Sequence, residues 1–129
     1  MRLSLGALGR ISAGVRRPAY DVAALKSGIV HLGLGAFHRA HQAVFTEDAI
    51  AAHGGDWGIT GVSMRKPDVA ESLTAQDGLF TVETLDAQPR YRVVGVVRQA
   101  LTLPLRPGAV IDALAAPTTH IITLTITEK

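Results

Sequence analysis

Short apolar runs alternate along the chain with segments of helical pattern. Ile29–Leu32 is rich in β-branched residues and bounded by glycines, which predicts a buried strand. Residues 38–53 contain neither Gly nor Pro and predict one helix, and Trp57–Met64 predicts a second strand. Pro67 suits the first turn of a further helix at about 68–75. Strand, helix and strand in this order are typical of a right-handed, parallel βαβ unit.

The second half of the chain predicts three more strands and a helix. Residues 79–85 alternate apolar and polar side chains, and residues 91–97 predict the strand that returns beside them in an antiparallel hairpin. A short helix at 110–116 and a strand at 120–126 follow. The whole pattern predicts an α/β fold: a mostly parallel sheet with helices on both faces and one antiparallel hairpin.

Composition narrows the classes of function. The chain has 129 residues, 47% hydrophobic and 19% charged, which suits a single globular domain. Its 13 Lys and Arg against 11 Asp and Glu leave a net charge of +2, too little for a nucleic-acid partner. There is no cysteine, which excludes disulfides and cysteine-ligated metals. No run approaches the ~20 apolar residues of a membrane span, so we expect a cytoplasmic protein without a membrane partner.

A glycine pair follows the first predicted strand. Gly33-Leu-Gly35-Ala-Phe-His38 matches the first two glycines of the G-x-G-x-x-G dinucleotide fingerprint in its strand–turn–helix setting. Gly33 would form the tight turn, and Gly35 would let a pyrophosphate approach the backbone at the helix N-terminus. His38 stands at the third glycine position, so either the helix stands off the strand or His38 points outward. An ordinary strand–helix turn is the alternative on this pattern alone.

A dinucleotide site also needs an acid beyond its second strand, for the adenosine ribose. Asp56 has the expected spacing from the glycines, but it precedes the strand and falls at the wrong end of the sheet. Asp68 follows the strand and is better placed. Arg65 and Lys66 beside it could accept a 2′-phosphate, so NADP stays open as an alternative to NAD.

A family resemblance becomes specific at the same residues. Residues 33–42 closely resemble the G-x-G-x-F-H-R-A-H-Q signature of the long-chain mannitol dehydrogenase family, and the likeness continues through 56–65, 76–81 and 122–129. It implies an NAD-dependent, metal-independent oxidoreductase with a Rossmann-like fold. Members interconvert a polyol or hexonate and its 2-keto sugar or keto-uronate, such as mannitol and fructose or mannonate and fructuronate.

The resemblance also implies which residues bind the cofactor. By position they are Gly33, Gly35, Ala36, Phe37, His38, Arg39 and, for the ribose, Asp68. Pro67 stands where many mannitol enzymes have a second acid, and Glu128-Lys129 resembles the fructuronate reductases. The implied partner is a small sugar alcohol or sugar acid, and the implied assembly is a monomer or small oligomer.

The domain organisation expected from the resemblance is incomplete. Residues 1–28 form a lead-in and 29–129 a partial dinucleotide-binding domain, whereas the catalytic residues belong to a C-terminal domain that is absent. No catalytic residue can therefore be named. The chain is expected to be the cofactor-binding part of such an enzyme, with two alternatives: a truncated, catalytically inactive nucleotide-binding fragment, or a nucleotide-sensing module.

The remaining titratable candidates have plainer interpretations. His31 and His120 lie on predicted buried strands and are expected to be core histidines with satisfied hydrogen bonds. Glu47 and Asp48 predict a solvent-exposed helix face rather than a catalytic pair.

Overall fold

The computed structural model describes residues 2–127, so the comparison based on Glu128 and Lys129 lies outside the described residues. The strands are β1 (Val15–Arg16), β2 (Ser27–Leu32), β3 (Gly58–Ser63), β4 (Phe80–Thr84), β5 (Arg90–Val94), β6 (Val97–Thr102) and β7 (Ile121–Leu124). The α-helices are α1 (Ala36–Ala40), α2 (Gln42–His53), α3 (Asp68–Ala75) and α4 (Pro107–Ala115).

A four-stranded parallel sheet with the order β6-β3-β2-β7 forms the centre of the fold. Alternate residues of its strands face opposite helices. Ile29 and Ile59 pack with α2 and α3 on one face, whereas Val30 and Val62 pack with Val110 of α4 on the other. The predicted parallel sheet with helices on both faces is therefore confirmed.

The predicted hairpin is present, but it lies outside the parallel sheet. β4 and β5 pair antiparallel, and the short β1 adds to β5 in parallel, giving a separate sheet with the order β1-β5-β4. The predicted strand 91–97 was wrong at its end: β5 stops at Val94, and β6 begins at Val97 and joins β3. Val93 to Val97 is apolar throughout apart from Gly95, so the pattern hides the change of sheet.

Two helices occupy the segment predicted as a single helix over 38–53. His41 has φ −121° and ψ −81°, which breaks the helical geometry between α1 and α2. Its backbone N–H still donates to the carbonyl of Phe37 at 3.1 Å, and its Nδ1 lies 2.8 Å from the same oxygen. His41 is therefore the one residue between the end of α1 at Ala40 and the start of α2 at Gln42.

Glu47 joins the two sheets, and its expected place on a solvent-exposed helix face was wrong. The side chain is 2% exposed and accepts hydrogen bonds from the Tyr20 hydroxyl at 2.7 Å and the Gly95 N–H at 2.6 Å. Arg92 pairs with it at 3.2 Å and with the half-exposed Asp48 at 2.8 Å. Burial and the carboxylate together raise the pKa of Tyr20, which stays a hydrogen-bond donor.

The residues before β2 pack onto the second sheet. Residues 5–10 and 22–24 form two 3-10 helices, and Val22 is buried with Leu79 and Val93. Asp21 precedes the second of these helices, and its side chain makes no capping bond. Among residues 2–127, no helix has the length and apolar character needed to cross a bilayer.

Strand β7 is the edge of the parallel sheet and presents apolar side chains to solvent. Ile121, Ile122 and Leu124 are each about half exposed. His120 precedes the strand and is exposed, so its expected burial was wrong: the chain enters the sheet one residue later, after the His120 N–H donates to the Gly28 carbonyl at 2.8 Å.

Candidate nucleotide-binding site

The order of the parallel strands locates the candidate site. From β2 the chain moves outward to β3 and then β6, and afterwards returns to place β7 on the other side of β2. The direction of strand order thus reverses between β2 and β7. In open α/β sheets, ligands bind at such a reversal, beyond the carboxyl ends of the strands. The turn after β2, Gly33-Leu-Gly35, lies at this point.

The glycine turn is held down on the neighbouring strand. The N–H groups of Gly33 and Leu34 both donate to the Val62 carbonyl, at 2.9 and 3.1 Å. Gly33 has φ +112°, a conformation that L side chains rarely adopt, and a Cβ there would meet Thr125 at 3.2 Å. The Leu34 side chain is buried over Gly61 of β3, where a Cβ would lie 2.5 Å from Leu34 Cδ1. Glycine at 33 and 61 therefore permits this turn.

Gly35 is exposed at the start of α1, with open space above it. Its backbone is extended, with φ −103° and ψ −176°, and no heavy atom lies within 4 Å of the position its Cβ would take. Its N–H donates to the Gly33 carbonyl at 2.8 Å. The first N–H groups of a helix have no partner within the helix, and they follow directly at Ala36 and Phe37. The arrangement leaves room for an anionic group beside the backbone N–H groups at the start of α1.

The predicted site residues around this turn divide into two groups. Ala36 and Phe37 are exposed, and the half-buried Arg39 donates from Nε to the Gly35 carbonyl at 3.3 Å. His38 is 1% exposed and turns toward the sheet, which corrects the alternative that it points outward. Its ring lies flat on that of His31, so α1 contacts β2 through two stacked histidine rings.

The two stacked histidines are held neutral by their surroundings. Burial, with smaller contributions from the neighbouring His31 and Arg39, lowers the pKa of His38 to about 4, although the hydrogen bond between His38 and Gln42 acts in the opposite direction. Burial also lowers the pKa of His31, partly offset by the Gly33 carbonyl. The expectation that His31 is a satisfied histidine on a buried strand is confirmed, since both of its ring nitrogens have partners.

Sequence reasoning missed the polar partners of this pair. Gln42 on α2 lies beside His38 Nδ1 at 3.0 Å, and Thr123 on β7 lies 2.7 Å from His31 Nδ1. Thr125, just beyond β7, approaches His31 Nε2 at 2.9 Å. One signal was available: His38 and Gln42 are four residues apart, which places them on one side of a helix.

Asp68 is exposed on the same edge of the molecule as the glycine turn. It is the first residue of α3, separated from the end of β3 by four residues, and it lines a cleft of about 230 Å³ together with Arg39. Arg65 and Lys66 are exposed between β3 and α3. Asp56 instead accepts the Lys26 N–H at 3.2 Å before β2, at the opposite end of the sheet. The structure thus brings Asp68 and Arg39 together and separates Asp56 from them.

Comparison with known proteins extends this picture. A family model described as the Rossmann domain of mannitol dehydrogenase matches residues 27–129. Mannitol 2-dehydrogenase of Cereibacter sphaeroides is 45% identical over 92% of this chain and 26% of its own length. D-mannonate oxidoreductase of Escherichia coli is 40% identical over 89% of this chain and 25% of its own.

A solved structure gives the same result. The ternary complex of Pseudomonas fluorescens mannitol 2-dehydrogenase with NAD and D-mannitol superposes with a TM-score of 0.91 at 38% identity, over 98% of this chain and 27% of that one. The chain thus spans about a quarter of the length of the relatives it matches. It has a Rossmann-like fold and belongs to the mannitol dehydrogenase family.

Proposed function

We propose that this chain is the cofactor-binding part of an NAD-dependent oxidoreductase that interconverts a polyol or hexonate and its 2-keto sugar or keto-uronate. The observation that carries the proposal is the glycine turn at the strand reversal, with open space above Gly35. The similarity to a mannitol 2-dehydrogenase solved with NAD and D-mannitol supports it. NAD, when bound, supplies the position that accepts or donates the hydride.

The proposed contacts follow from where the residues lie. Gly33 and Gly35 bring the backbone to the pyrophosphate, and Ala36 and Phe37 present helix N–H groups to it. Arg39 adds a positive charge beside the turn. His38 faces the sheet, so we assign it to the support of the turn and not to contact with phosphate.

Asp68 is the proposed partner of the adenosine ribose hydroxyls. It lies beyond β3 in the cleft that Arg39 also lines. A carboxylate there favours NAD, because it repels the 2′-phosphate of NADP. Arg65 and Lys66 offer cations to such a phosphate, so a comparison of NADH with NADPH binding belongs in every titration.

The finer assignments are also proposals. We propose residues 1–28 as a lead-in and 29–129 as the partial dinucleotide-binding domain; the start of the family match at residue 27 supports this division. We propose a sugar alcohol or a sugar acid as the substrate. We also propose that the protein is a monomer or small oligomer and that it is located in the cytoplasm. Residues 1–129 by themselves are expected to bind nucleotide without hydride transfer, so turnover of mannitol or mannonate with NAD by this chain would overturn that expectation.

The test is a titration of the full 129-residue chain with NADH, followed by nucleotide fluorescence. Gly35→Val fills the open space without backbone strain, so we expect an unchanged melting temperature and at least a tenfold weaker Kd. Gly9→Val is the matched control, because a Cβ at Gly9 also meets nothing within 4 Å and lies in the N-terminal 3-10 helix. Equal NADH binding by Gly35→Val and the parent, or no binding by the parent, contradicts the proposal.

A further inference from the structure

Two buried histidine rings fill the space behind the glycine turn. The ring centroids of His31 on β2 and His38 on α1 are 3.8 Å apart, with 9° between the planes. The residues are 3% and 1% exposed. Buried polar rings require hydrogen-bond partners at their edges, so the atoms around them define which nitrogen of each ring carries the hydrogen.

The surroundings of His31 fix its tautomer. Its Nε2 lies 3.2 Å from the Gly33 carbonyl and 2.9 Å from Thr125 Oγ1, and its Nδ1 lies 2.7 Å from Thr123 Oγ1. A carbonyl oxygen only accepts, whereas the Thr125 hydroxyl can accept or donate, so a hydrogen on Nε2 satisfies both neighbours and we assign it there. Nδ1 is then bare and accepts from the Thr123 hydroxyl.

The same logic continues to the second ring. The Thr123 hydroxyl has given its one hydrogen to His31, so its oxygen accepts from Gln42 Nε2 at 3.2 Å. Gln42 Oε1 accepts from His38 Nδ1 at 3.0 Å. His38 Nε2 is then the bare nitrogen; it is buried and has no hydrogen-bond partner within residues 2–127. With these assignments the hydrogen bonds run in one direction, from His38 through Gln42, Thr123 and His31 to the Gly33 carbonyl. The Thr123 hydroxyl then gives its hydrogen to His31 at 2.7 Å and not to Gln42 Oε1, which lies 3.4 Å away.

We infer that His31, His38, Gln42 and Thr123 are positioning residues whose one-directional hydrogen-bond chain fixes the Gly33 carbonyl and thereby the conformation of the glycine turn. That carbonyl also accepts the Gly35 N–H at 2.8 Å, so its orientation sets the direction of the next peptide. The hydrogen-bond chain connects β2, α1, α2 and β7 across the strand reversal. Its effect on cofactor affinity rests on the proposed function; its effect on the turn does not.

The hydrogen-bond chain is sensitive to the loss of any one of its bonds. Arg39 is the charged group that acts on the ring pair among the described residues, and the groups facing it from α2 and from the β7 end are the neutral Gln42, Thr123 and Thr125. Loss of the Thr123 hydroxyl leaves one bare acceptor on His31 and one unpaired donor on Gln42. The hydrogen-bonded link between His38 and His31 is then broken at Thr123.

The test uses nitrogen NMR of the labelled full-length chain together with NADH titration. In the parent we expect His31 as the Nε2–H tautomer and His38 as the Nδ1–H tautomer. Thr123→Val keeps the branched shape and removes the hydroxyl. We expect His31 to keep its Nε2–H tautomer with a shifted Nδ1 resonance, because only the bond at Nδ1 is lost. We also expect a shifted Gly35 amide resonance and about a fivefold weaker NADH Kd, the size expected for one lost hydrogen bond. Thr81→Val, exposed on β4, is the control and leaves all three at parent values.

The outcomes distinguish this inference from a merely structural role of the histidines and from failure of the proposed function. Opposite tautomers in the parent overturn it, as do unchanged His31 and Gly35 signals in Thr123→Val. A Kd that rises only with the unfolded fraction shows a merely structural role and also overturns it. If the parent binds no NADH while the tautomers and their response are as expected, the proposed function fails and the positioning of the turn stands. Should Thr123→Val not fold, Gln42→Met breaks the same chain from the helix side.

Discussion

The stacked histidine pair makes the stability of the fold depend on pH above the range where most carboxylates titrate. The pKa of His38 falls from 6.5 to about 4 in the folded chain. A histidine with a lowered pKa binds its proton more readily in the unfolded chain, so stability is complete above pH 6.5 and declines as the pH falls toward 4. At ~1.4 kcal/mol per pKa unit, the loss between pH 7 and pH 5 is about 2 kcal/mol.

The comparison variant is His38→Phe, which keeps an aromatic ring against His31 and cannot take up a proton. Urea unfolding at pH 7 and pH 5, followed by the fluorescence of the single Trp57, gives the free energy of unfolding of both proteins. We expect the parent to lose about 2 kcal/mol more than His38→Phe over this interval. Equal losses in the two proteins would refute the assignment of a lowered pKa to His38, whatever their absolute stabilities.

Three further substitutions test the packing around the site and the joint between the sheets. Glu47→Ala should lower the free energy of urea unfolding by about 3–5 kcal/mol, because it leaves the 15%-exposed Arg92 without its buried partner. Arg16→Ala breaks only a 62%-exposed ion pair and should stay within about 0.5 kcal/mol of the parent in the same assay. Gly61→Ala pushes on Leu34 beneath the turn; we expect a loss of about 1–3 kcal/mol and a weaker NADH Kd by fluorescence, and parent-like values would contradict the account of the turn.

Local patterns predicted the elements that lie nearest the candidate site. The β-branched run at 29–32 and the glycines after it determine β2 and its turn by composition alone, and Pro67 places the start of α3 at Asp68 as expected. These features rest on neighbours in sequence. The fold class follows from their order, because strands joined through helices pair in parallel.

Features that depend on distant partners could not be predicted in this way. Glu47 is buried because Tyr20, Arg92 and Gly95, between 27 and 48 residues away, satisfy its oxygens. A charged helix residue with no visible partner is more often exposed, so the pattern favoured the wrong side. Likewise, the contact that turns His38 inward is the ring of His31 across a strand–helix turn, which spacing alone does not reveal.

The end of β5 in the second sheet could not be predicted from the local pattern either. The apolar stretch Val93–Val97 has the composition of one continuous strand, yet its two halves pair with different sheets. The chain leaves the second sheet at Gly95, whose N–H donates to Glu47 instead of to a strand. The residues after Gly95 then pair with β3 as β6. Both belong to the assembled fold and not to the local sequence.

The pairing of β2 with β7 has a consequence for how the molecule acquires its binding surface. Thr123 and Thr125, which back the turn after β2, lie 92 and 94 residues beyond His31 in the chain. Contacts of such separation close large loops and slow the folding of the structures that depend on them. The unit of β2, the following helices and β3 can form early, because its residues are close in sequence. The crevice at the end of β2 is bordered on one side only until β7 pairs with β2. During synthesis, therefore, the proposed nucleotide site should be completed when β7 forms and not when the glycine turn is made.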